Sequence, residues 1–423
     1  MGSALAIEPL IARPDVTVAV PGSKSHTNRA LACAALADGR SQLDGALFAE
    51  DTWAMINALG NLGLDVDANP DRVEIVVDGC GGALPAGPRR LDVAQSGTTG
   101  RFLLATLALG EGPYVLDGDE QLRARPFGPL VHALRTLGAS IDGDRLPLTV
   151  NGGAGGGRVE LGGSVSSQFL SGLLMAAPCA ATAGADVVIE LTDELVSVPY
   201  VALTLATMAT FGVDVDHSAD HQRFRVPAQR YRATDAAIEP DASAASYFFA
   251  AAAITGGRVR IPGLSAATVQ GDLRFVDILA EMGAEVTYEP DAVTVVGREL
   301  RGVTVDMRDC SDVAQTLAMV ATFASEPTTI TGIGFIRHKE TDRVSAVVDE
   351  LTKLGITAVS DADGFTVHPG VPTPGAVATY RDHRMAMSFA LLGLVHPGIV
   401  IEDPDCVAKT FPDYFSVLDR LRR

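Results

Sequence analysis

A pattern repeated along the whole chain at intervals of 70 to 75 residues limits what it can fold into. One recurring segment is an amphipathic helix pattern closed by an apolar residue and glycine. It ends at Leu62-Gly63, Leu137-Gly138, Phe211-Gly212, Met282-Gly283 and Leu354-Gly355, so its glycines stand 75, 74, 71 and 72 residues apart. Glycine there suits a left-handed helix C-cap, and alternating strand patterns follow, as in Leu64-Asp65-Val66-Asp67 and Val213-Asp214-Val215-Asp216. A sixth helix pattern, around 414–421, has no strand after it. The second recurring segment is a more apolar helix with a polar start near Ser23, Ser96, Ser166, Asp241, Asp312 and Asp382, at intervals of 73, 70, 75, 71 and 70. Helices apolar all round belong inside, and the amphipathic set belongs outside. The period is too long for a solenoid, whose repeats run to about 50 residues.

Six helix-and-strand units predict an α/β protein of two lobes with three units each. Turn-forming Pro21-Gly22 and Glu239-Pro240-Asp241 precede the first and fourth apolar helices. They divide the chain into one lobe of residues 21–238 and another of 1–20 with 239–423. If a strand at 16–20 pairs with the second half, the chain crosses between lobes twice, giving a hinge and an active-site cleft. Composition agrees with large cores: 47% of the 423 residues are hydrophobic and 20% are charged. No apolar run approaches the roughly 18 residues of a membrane span, and Met1-Gly2-Ser3-Ala4-Leu5 has no basic start of a signal peptide. Five scattered cysteines, odd in number and without metal-ligand spacing, predict reduced thiols in a cytoplasmic protein.

The net charge of −19 excludes a nucleic-acid-binding face. It also means that any anionic ligand must meet cations concentrated locally. Only four lysines occur, Lys24, Lys339, Lys353 and Lys409, and three of them fall inside motifs. A helix N-terminus offers free N–H groups and partial positive charge, a ready site for phosphate or carboxylate. The polar starts read Pro21-Gly22-Ser23-Lys24-Ser25-His26-Thr27-Asn28-Arg29, Ser96-Gly97-Thr98-Thr99-Gly100-Arg101, Ser164-Val165-Ser166-Ser167-Gln168 and Asp382-His383-Arg384-Met385-Ala386-Met387. Any one of them is explained by ordinary capping. Lys24 and Arg29 are not, because the helix dipole disfavours cations there; an anion must compensate. Arg123-Ala124-Arg125-Pro126, Arg337-His338-Lys339-Glu340-Thr341-Asp342-Arg343 and Ala408-Lys409-Thr410-Phe411-Pro412 add cations before three outer helices, with Lys339 and Arg343 expected on one helical face. The tract 152–157 lacks the Lys-Ser/Thr of a phosphate loop. Asp216-His217-Ser218-Ala219-Asp220-His221 sits where two strands should turn and is expected to be a turn, not a metal site. No motif demands a metal or organic cofactor.

Taken together and in order, the motifs 21–25 with Asn28-Arg29, 96–101, Arg125-Pro126, 166–168, 339–343, 382–387 and 409–412 resemble those of the 5-enolpyruvylshikimate-3-phosphate (EPSP) synthase family over essentially the whole chain. The resemblance implies two hinge-linked lobes of three inside-out α/β units. It implies a transferase that moves the enolpyruvyl group of phosphoenolpyruvate to the 5-hydroxyl of shikimate 3-phosphate and releases phosphate, in the shikimate pathway to chorismate and aromatic amino acids. The implied enzyme is a cytoplasmic monomer with two small-molecule substrates and no cofactor, nucleic acid or membrane partner. Carried over residue by residue, Lys24, Ser25, Arg29, Ser166, Ser167, Gln168, Ser197, Tyr200, Asp312 and Lys339 resemble the shikimate 3-phosphate contacts. Lys24, Gly97, Arg125, Gln168, Arg343, Arg384 and Lys409 match the phosphoenolpyruvate grip. Asp312 and Glu340, with Lys24, match the catalytic set. The substrate hydroxyl must lose a proton as it attacks C2 of the enol while C3 gains one. Asp312 at a helix start suits the base, and Glu340, tuned by Lys339 and burial, suits the proton donor.

Four positions depart from the family's pattern. Phe335 and Gln95 stand where Asn is usual, Phe102 where Pro or Leu is common, and Gln121 where many members have Arg. They touch acceptor detail and inhibitor sensitivity and leave the phosphoenolpyruvate set intact. The related UDP-N-acetylglucosamine enolpyruvyl transferases carry an acid Cys in a mobile loop, and the matching segment 118–128 has none. A transferase for another cyclitol phosphate and a non-catalytic ligand-binding paralogue are the remaining alternatives; joint retention of Asp312, Glu340 and Lys409 opposes the second.

Overall fold

The computed structural model describes residues 3–182 and 184–422. Five outer helices, Glu50–Leu62, Gly128–Thr136, Val198–Thr210, Arg274–Met282 and Arg343–Lys353, all close in the same way. Gly63, Gly138, Gly212, Gly283 and Gly355 take φ of 106°, 96°, 78°, 117° and 80°. At each, the glycine N–H donates to the carbonyl three residues back and the next N–H donates five back, as in Gly283 to Ala280 (3.0 Å) and Ala284 to Leu279 (2.9 Å). A strand then begins, from Asp65–Asn69 in the first unit to Ala358–Ser360 in the fifth. The sixth outer helix, Tyr414–Leu418, runs instead into a short 3₁₀ turn.

The second helix set is buried almost throughout: Lys24–Leu36, Gly97–Leu107, Ser167–Ala180, Ala242–Thr255, Ala314–Ala321 and His383–Gly393. Ser23, Ser96, Ser166, Asp241 and Asp382 each accept a first-turn backbone N–H, from His26, Thr99, Gln168, Ala244 and Arg384. The fifth start differs. Asp312 lies inside a 3₁₀ turn, Ser311–Val313, ahead of the helix, and its carboxylate engages arginines.

Five of the six sheets follow one plan, a parallel pair extended by an antiparallel hairpin. In the second unit Arg89–Asp92 runs parallel to Glu111–Asp117, which pairs antiparallel with Leu148–Gly152 and through it with Ser140–Asp142. Three sheets borrow a distant strand, and in two of them it forms the parallel pair: Asp15–Thr17 with Arg258–Pro262, and Ala236–Ala237 with Asp38–Asp44. The sixth sheet has three strands among the described residues. Its distant strand, Ala4–Ile7, runs antiparallel to Ile399–Glu402, with Ala4 opposite Glu402 and Ile7 opposite Ile399.

Two compact units result: Met1–Pro21 with Glu239–Arg423, here the split unit, and Gly22–Ile238, the inserted unit. Each has its own apolar core, and in each the three buried helices pack on one another. In the split unit hydroxyls from all three meet, Thr316 lying 3.3 Å from Ser246 and 3.4 Å from Ser388. No helix among the described residues is long and apolar enough to cross a membrane.

Two local expectations are corrected. Lys339 does not share a helical face with Arg343, because Asp342 caps the helix by accepting the Ser345 N–H at 3.0 Å and the helix begins at Arg343. Nor does Arg123-Ala124-Arg125-Pro126 open an outer helix. Asp119 caps a short helix, Glu120–Arg123, Pro126 disfavours helical backbone at Arg125, and the outer helix starts at Gly128.

Candidate active site

In the split unit the fifth and sixth repeats bring the motif residues together around Arg343, which is 1% exposed. Its Nε donates to Asp382 Oδ2 at 2.8 Å and its Nη2 to Asp382 Oδ1 at 3.2 Å. Nη1 reaches Asp312 Oδ1 at 3.1 Å and Nη2 reaches Glu340 Oε2 at 2.9 Å. Arg384 Nη2 takes the other Asp312 oxygen at 2.7 Å, Lys409 Nζ lies 3.1 Å from Glu340 Oε1, and Lys339 Nζ lies 3.9 Å from Asp312. Four cations thus face three carboxylates, leaving one positive charge in excess. Burial works against the Arg343 charge, yet Asp382, Glu340 and Asp312 outweigh it and hold its pKa above the ordinary value. Breaking such a buried pair by removing one partner costs roughly 3–5 kcal/mol.

Asp382 is the member that sequence reasoning missed. It reads as a helix cap and does cap, accepting the Arg384 N–H at 2.9 Å. The same carboxylate also aligns Arg343. Behind Arg384, Ser243 accepts from its Nη2 at 3.4 Å and donates to buried Asp272.

In the inserted unit three buried helix starts carry the remaining candidates. Lys24 Nζ lies 3.2 Å from Asp51, a buried carboxylate in the first turn of the outer helix. Arg29 is buried and spans three helices. Its Nη1 donates to Ser25 O (2.9 Å), Nε to Thr204 Oγ1 (2.7 Å), and Nη2 to Ser171 Oγ (3.3 Å) and Tyr200 O (3.0 Å). Every one of these partners is a neutral oxygen, so burial lowers its pKa to about 10. Phe102, one of the departures from the family pattern, lies under this guanidinium with 5.3 Å from Cζ to the ring centroid.

Gly97 stands where a Cβ would come within 2.8 Å of Arg125 Nη1 and 2.9 Å of Arg101 Nη1, so glycine lets both guanidiniums reach the helix start. Arg101 Nη1 donates to Gln168 Oε1 at 2.5 Å, and Gln168 Nε2 to Thr98 Oγ1 at 3.0 Å, joining the second and third starts. Ser166 and Ser167 begin the third buried helix. Asp193 orders the approach to it by accepting the N–H groups of Gly163 and Ser164 at 2.5 and 2.9 Å. Ser197 takes left-handed backbone (φ 57°) before the outer helix, and its carbonyl accepts the Tyr200 N–H at 3.0 Å.

Other chemistries find less support. Burial raises all five thiols above their ordinary value, Cys33 to about 12 and Cys179 to about 11, so none is an activated nucleophile. The 216–221 segment is a hairpin turn on which His217 and His221 stack at 4.9 Å. Phe335 lies in the 3₁₀ turn Gly334–His338 and packs on the split unit's core.

Six α/β units in two compact halves, with cations clustered at helix starts and in the turns beside them, define the class of protein. Comparison with known proteins sharpens the class. The sequence model of a family described as EPSP synthase (3-phosphoshikimate 1-carboxyvinyltransferase) matches residues 11–418. The 3-phosphoshikimate 1-carboxyvinyltransferase of Nostoc punctiforme is 47% identical over 416 residues, covering 96% of this chain and 97% of that protein. That of Serratia proteamaculans is 46% identical over 429 residues, covering 100% and 99%. The chloroplastic protein of Solanum lycopersicum is 44% identical over 428 residues, covering 96% and 82%. The solved structure of EPSP synthase from Acinetobacter baumannii matches with a TM-score of 0.83 at 26% identity, covering 99% of this chain and 98% of that one. The chain belongs to the EPSP synthase family and is a transferase.

Proposed function

We propose that the chain transfers the 1-carboxyvinyl group of phosphoenolpyruvate to the 5-hydroxyl of shikimate 3-phosphate and releases phosphate, acting in the cytoplasm on the route to aromatic amino acids. The observation that carries this reading is the cluster in which Asp312 and Glu340 share Arg343 while Arg384 and Lys409 flank them. Arg343, Arg384 and Lys409, with Lys24 and Arg125 from the inserted unit, grip phosphoenolpyruvate. Arginine suits bidentate hold on carboxylate and phosphate, and lysine a point contact on a departing phosphate. Asp312 and Glu340 engage the same guanidinium and ammonium groups that substrate anions need. Arrival of phosphoenolpyruvate exchanges one carboxylate for another and releases the two side chains for proton transfer.

Asp312 then takes the proton from the acceptor hydroxyl as its oxygen bonds to C2, and Glu340 delivers a proton to C3. In the second step phosphate leaves C2 and takes up the proton held by Asp312, while a proton from C3 returns to Glu340, restoring the double bond and both carboxyl groups. Lys24, Ser25, Arg29, Ser166, Ser167, Gln168, Ser197, Tyr200 and Lys339 hold shikimate 3-phosphate; Arg29, whose donors already face protein oxygens, orders Ser25 and Tyr200 as much as the ligand. One chain carries both residue sets, so a monomer suffices.

Phosphate release tests the reading, measured with both substrates and with each omitted in turn. Release only when both are present is expected, with chelator in the buffer. Turnover with a different cyclitol phosphate, and none with shikimate 3-phosphate, would assign another acceptor.

A further inference from the structure

Two consecutive non-glycine residues, Tyr380 (φ 55°) and Arg381 (φ 56°), hold left-handed backbone immediately before Asp382. Such conformations persist only where the surroundings over-determine them. This turn joins the strand Gly375–Val377 to the helix His383–Gly393 and presents the carboxylate that aligns Arg343 and caps Arg384. The Asp382 N–H itself closes on Thr379 O at 2.8 Å.

Glu350 holds the turn from the side. It is 4% exposed. Its Oε2 accepts from the Ala378 N–H at 3.0 Å and lies 3.1 Å from Lys353 Nζ, while Oε1 accepts from Tyr380 Oη at 2.9 Å. Glu350 lies about two turns along the helix from Arg343, on the same buried face as Ala346 and Val347. One helix therefore carries at its start the guanidinium that Asp382 must meet. Two turns on it carries the carboxylate that shapes the backbone presenting Asp382. A buried carboxylate is costly to keep for packing alone, since an apolar side chain of similar size often serves as well.

We propose that Glu350 is a positioning residue for the phosphoenolpyruvate grip, holding the 378–381 turn in its left-handed form so that Asp382 keeps Arg343 and Arg384 in register. The inference rests on the reading of those two arginines as phosphoenolpyruvate ligands. Glu350→Gln keeps the size but removes the charge and one of the two acceptor oxygens, so the bonds to Ala378 and Tyr380 are weakened. Steady-state kinetics and melting temperature are measured on the full chain for Glu350→Gln, Arg381→Gly and the double variant. Glu350→Gln raises KM for phosphoenolpyruvate about tenfold, a loss of binding common to ground and transition states, and leaves KM for shikimate 3-phosphate within about twofold. Arg381→Gly alone stays close to wild type. The double variant recovers most of the lost phosphoenolpyruvate affinity, because glycine adopts the left-handed form unaided. A purely structural role would lower the melting temperature without singling out one substrate. If Glu350→Gln gives no folded protein, Tyr380→Phe removes one bond to the carboxylate and is expected to raise the same KM about threefold. An unchanged KM for phosphoenolpyruvate in the variant used, or a rise that Arg381→Gly fails to reverse, overturns the inference. Failure of the functional reading shows separately, as wild-type protein that does not turn over the substrate pair.

Discussion

Arg343 is shared by three carboxylates, and this sharing decides what single substitutions do. Asp312→Asn keeps shape and a hydrogen-bonding oxygen but removes a base, and Glu340→Gln removes a proton donor. Each is expected to lower kcat by about two to four orders of magnitude, the range for a lost general acid or base. Calorimetric binding of shikimate 3-phosphate to Glu340→Gln should stay near wild type, since Glu340 faces Arg343 and Lys409. Turnover near wild type in either variant removes that residue from the proposed mechanism. Of the charged candidates, Lys24 and Arg29 stand out in the sequence because cations at helix starts contradict the helix dipole, and the others come from the family resemblance. Asp382 and Asp51 do not stand out, because an acid at a helix start is what capping alone predicts, and only the fold reveals Arg343 and Lys24 beside them. Glu350 left no signal at all; it reads as one more polar residue in an amphipathic helix, and its partners at 378 and 380 come from the next repeat.

At the scale of elements, the five helix-ending glycines share one backbone solution, but their surroundings differ, and that difference is measurable. At Gly355 (φ 80°) an added Cβ would find Thr373 side-chain atoms no closer than 3.5 Å, ordinary contact. Gly355→Ala should therefore cost only the left-handed penalty, about 1–2 kcal/mol. At Gly283 (φ 117°) the Cβ would lie 2.5 Å from the Glu299 carbonyl oxygen, a backbone atom that cannot swing aside. Gly283→Ala should cost roughly 3 kcal/mol or more, the penalty plus local strain. Urea unfolding midpoints of the two variants compare these costs directly, and equal losses would mean that the backbone at Gly283 relaxes freely. The glycines made five helix ends legible in advance. Helix starts were less so, and at Arg343 the deciding contact was one carboxylate, Asp342, bonding a backbone N–H three residues on. A charge pattern that continues through 337–343 hides that cap.

Over the whole molecule the repeat explains why fold class was readable and strand partnership only partly so. Period and periodicity are local, whereas Ala4–Ile7 finds its partner in Ile399–Glu402 at the far end of the chain. Nothing in the spacing of the first residues announces that they complete the sixth sheet, because the strand they pair with lies at the other end of the sequence. The division of residues between units has a consequence for substrate binding. Lys24, Arg29 and Arg125 belong to the inserted unit, and Lys339, Arg343, Arg384 and Lys409 to the split unit. The split unit's cations already face Asp312, Glu340 and Asp382, which leaves one charge in excess, and the chain as a whole carries −19. Two substrates bearing two phosphates and two carboxylates need more positive charge than either unit offers. Shikimate 3-phosphate is assigned Arg29 and Ser166 of the inserted unit and Asp312 and Lys339 of the split unit, so loss of a cation from either set should weaken its binding. Calorimetric titration with shikimate 3-phosphate is expected to show weaker binding in both Lys24→Ala and Lys339→Ala than in the wild type. The ligand concentration needed should rise with salt, because charges are screened beyond about 8 Å at physiological ionic strength. Binding unchanged in Lys339→Ala would mean that the inserted unit's residues bind the acceptor without it, and the assignment of Lys339 to that substrate would fall.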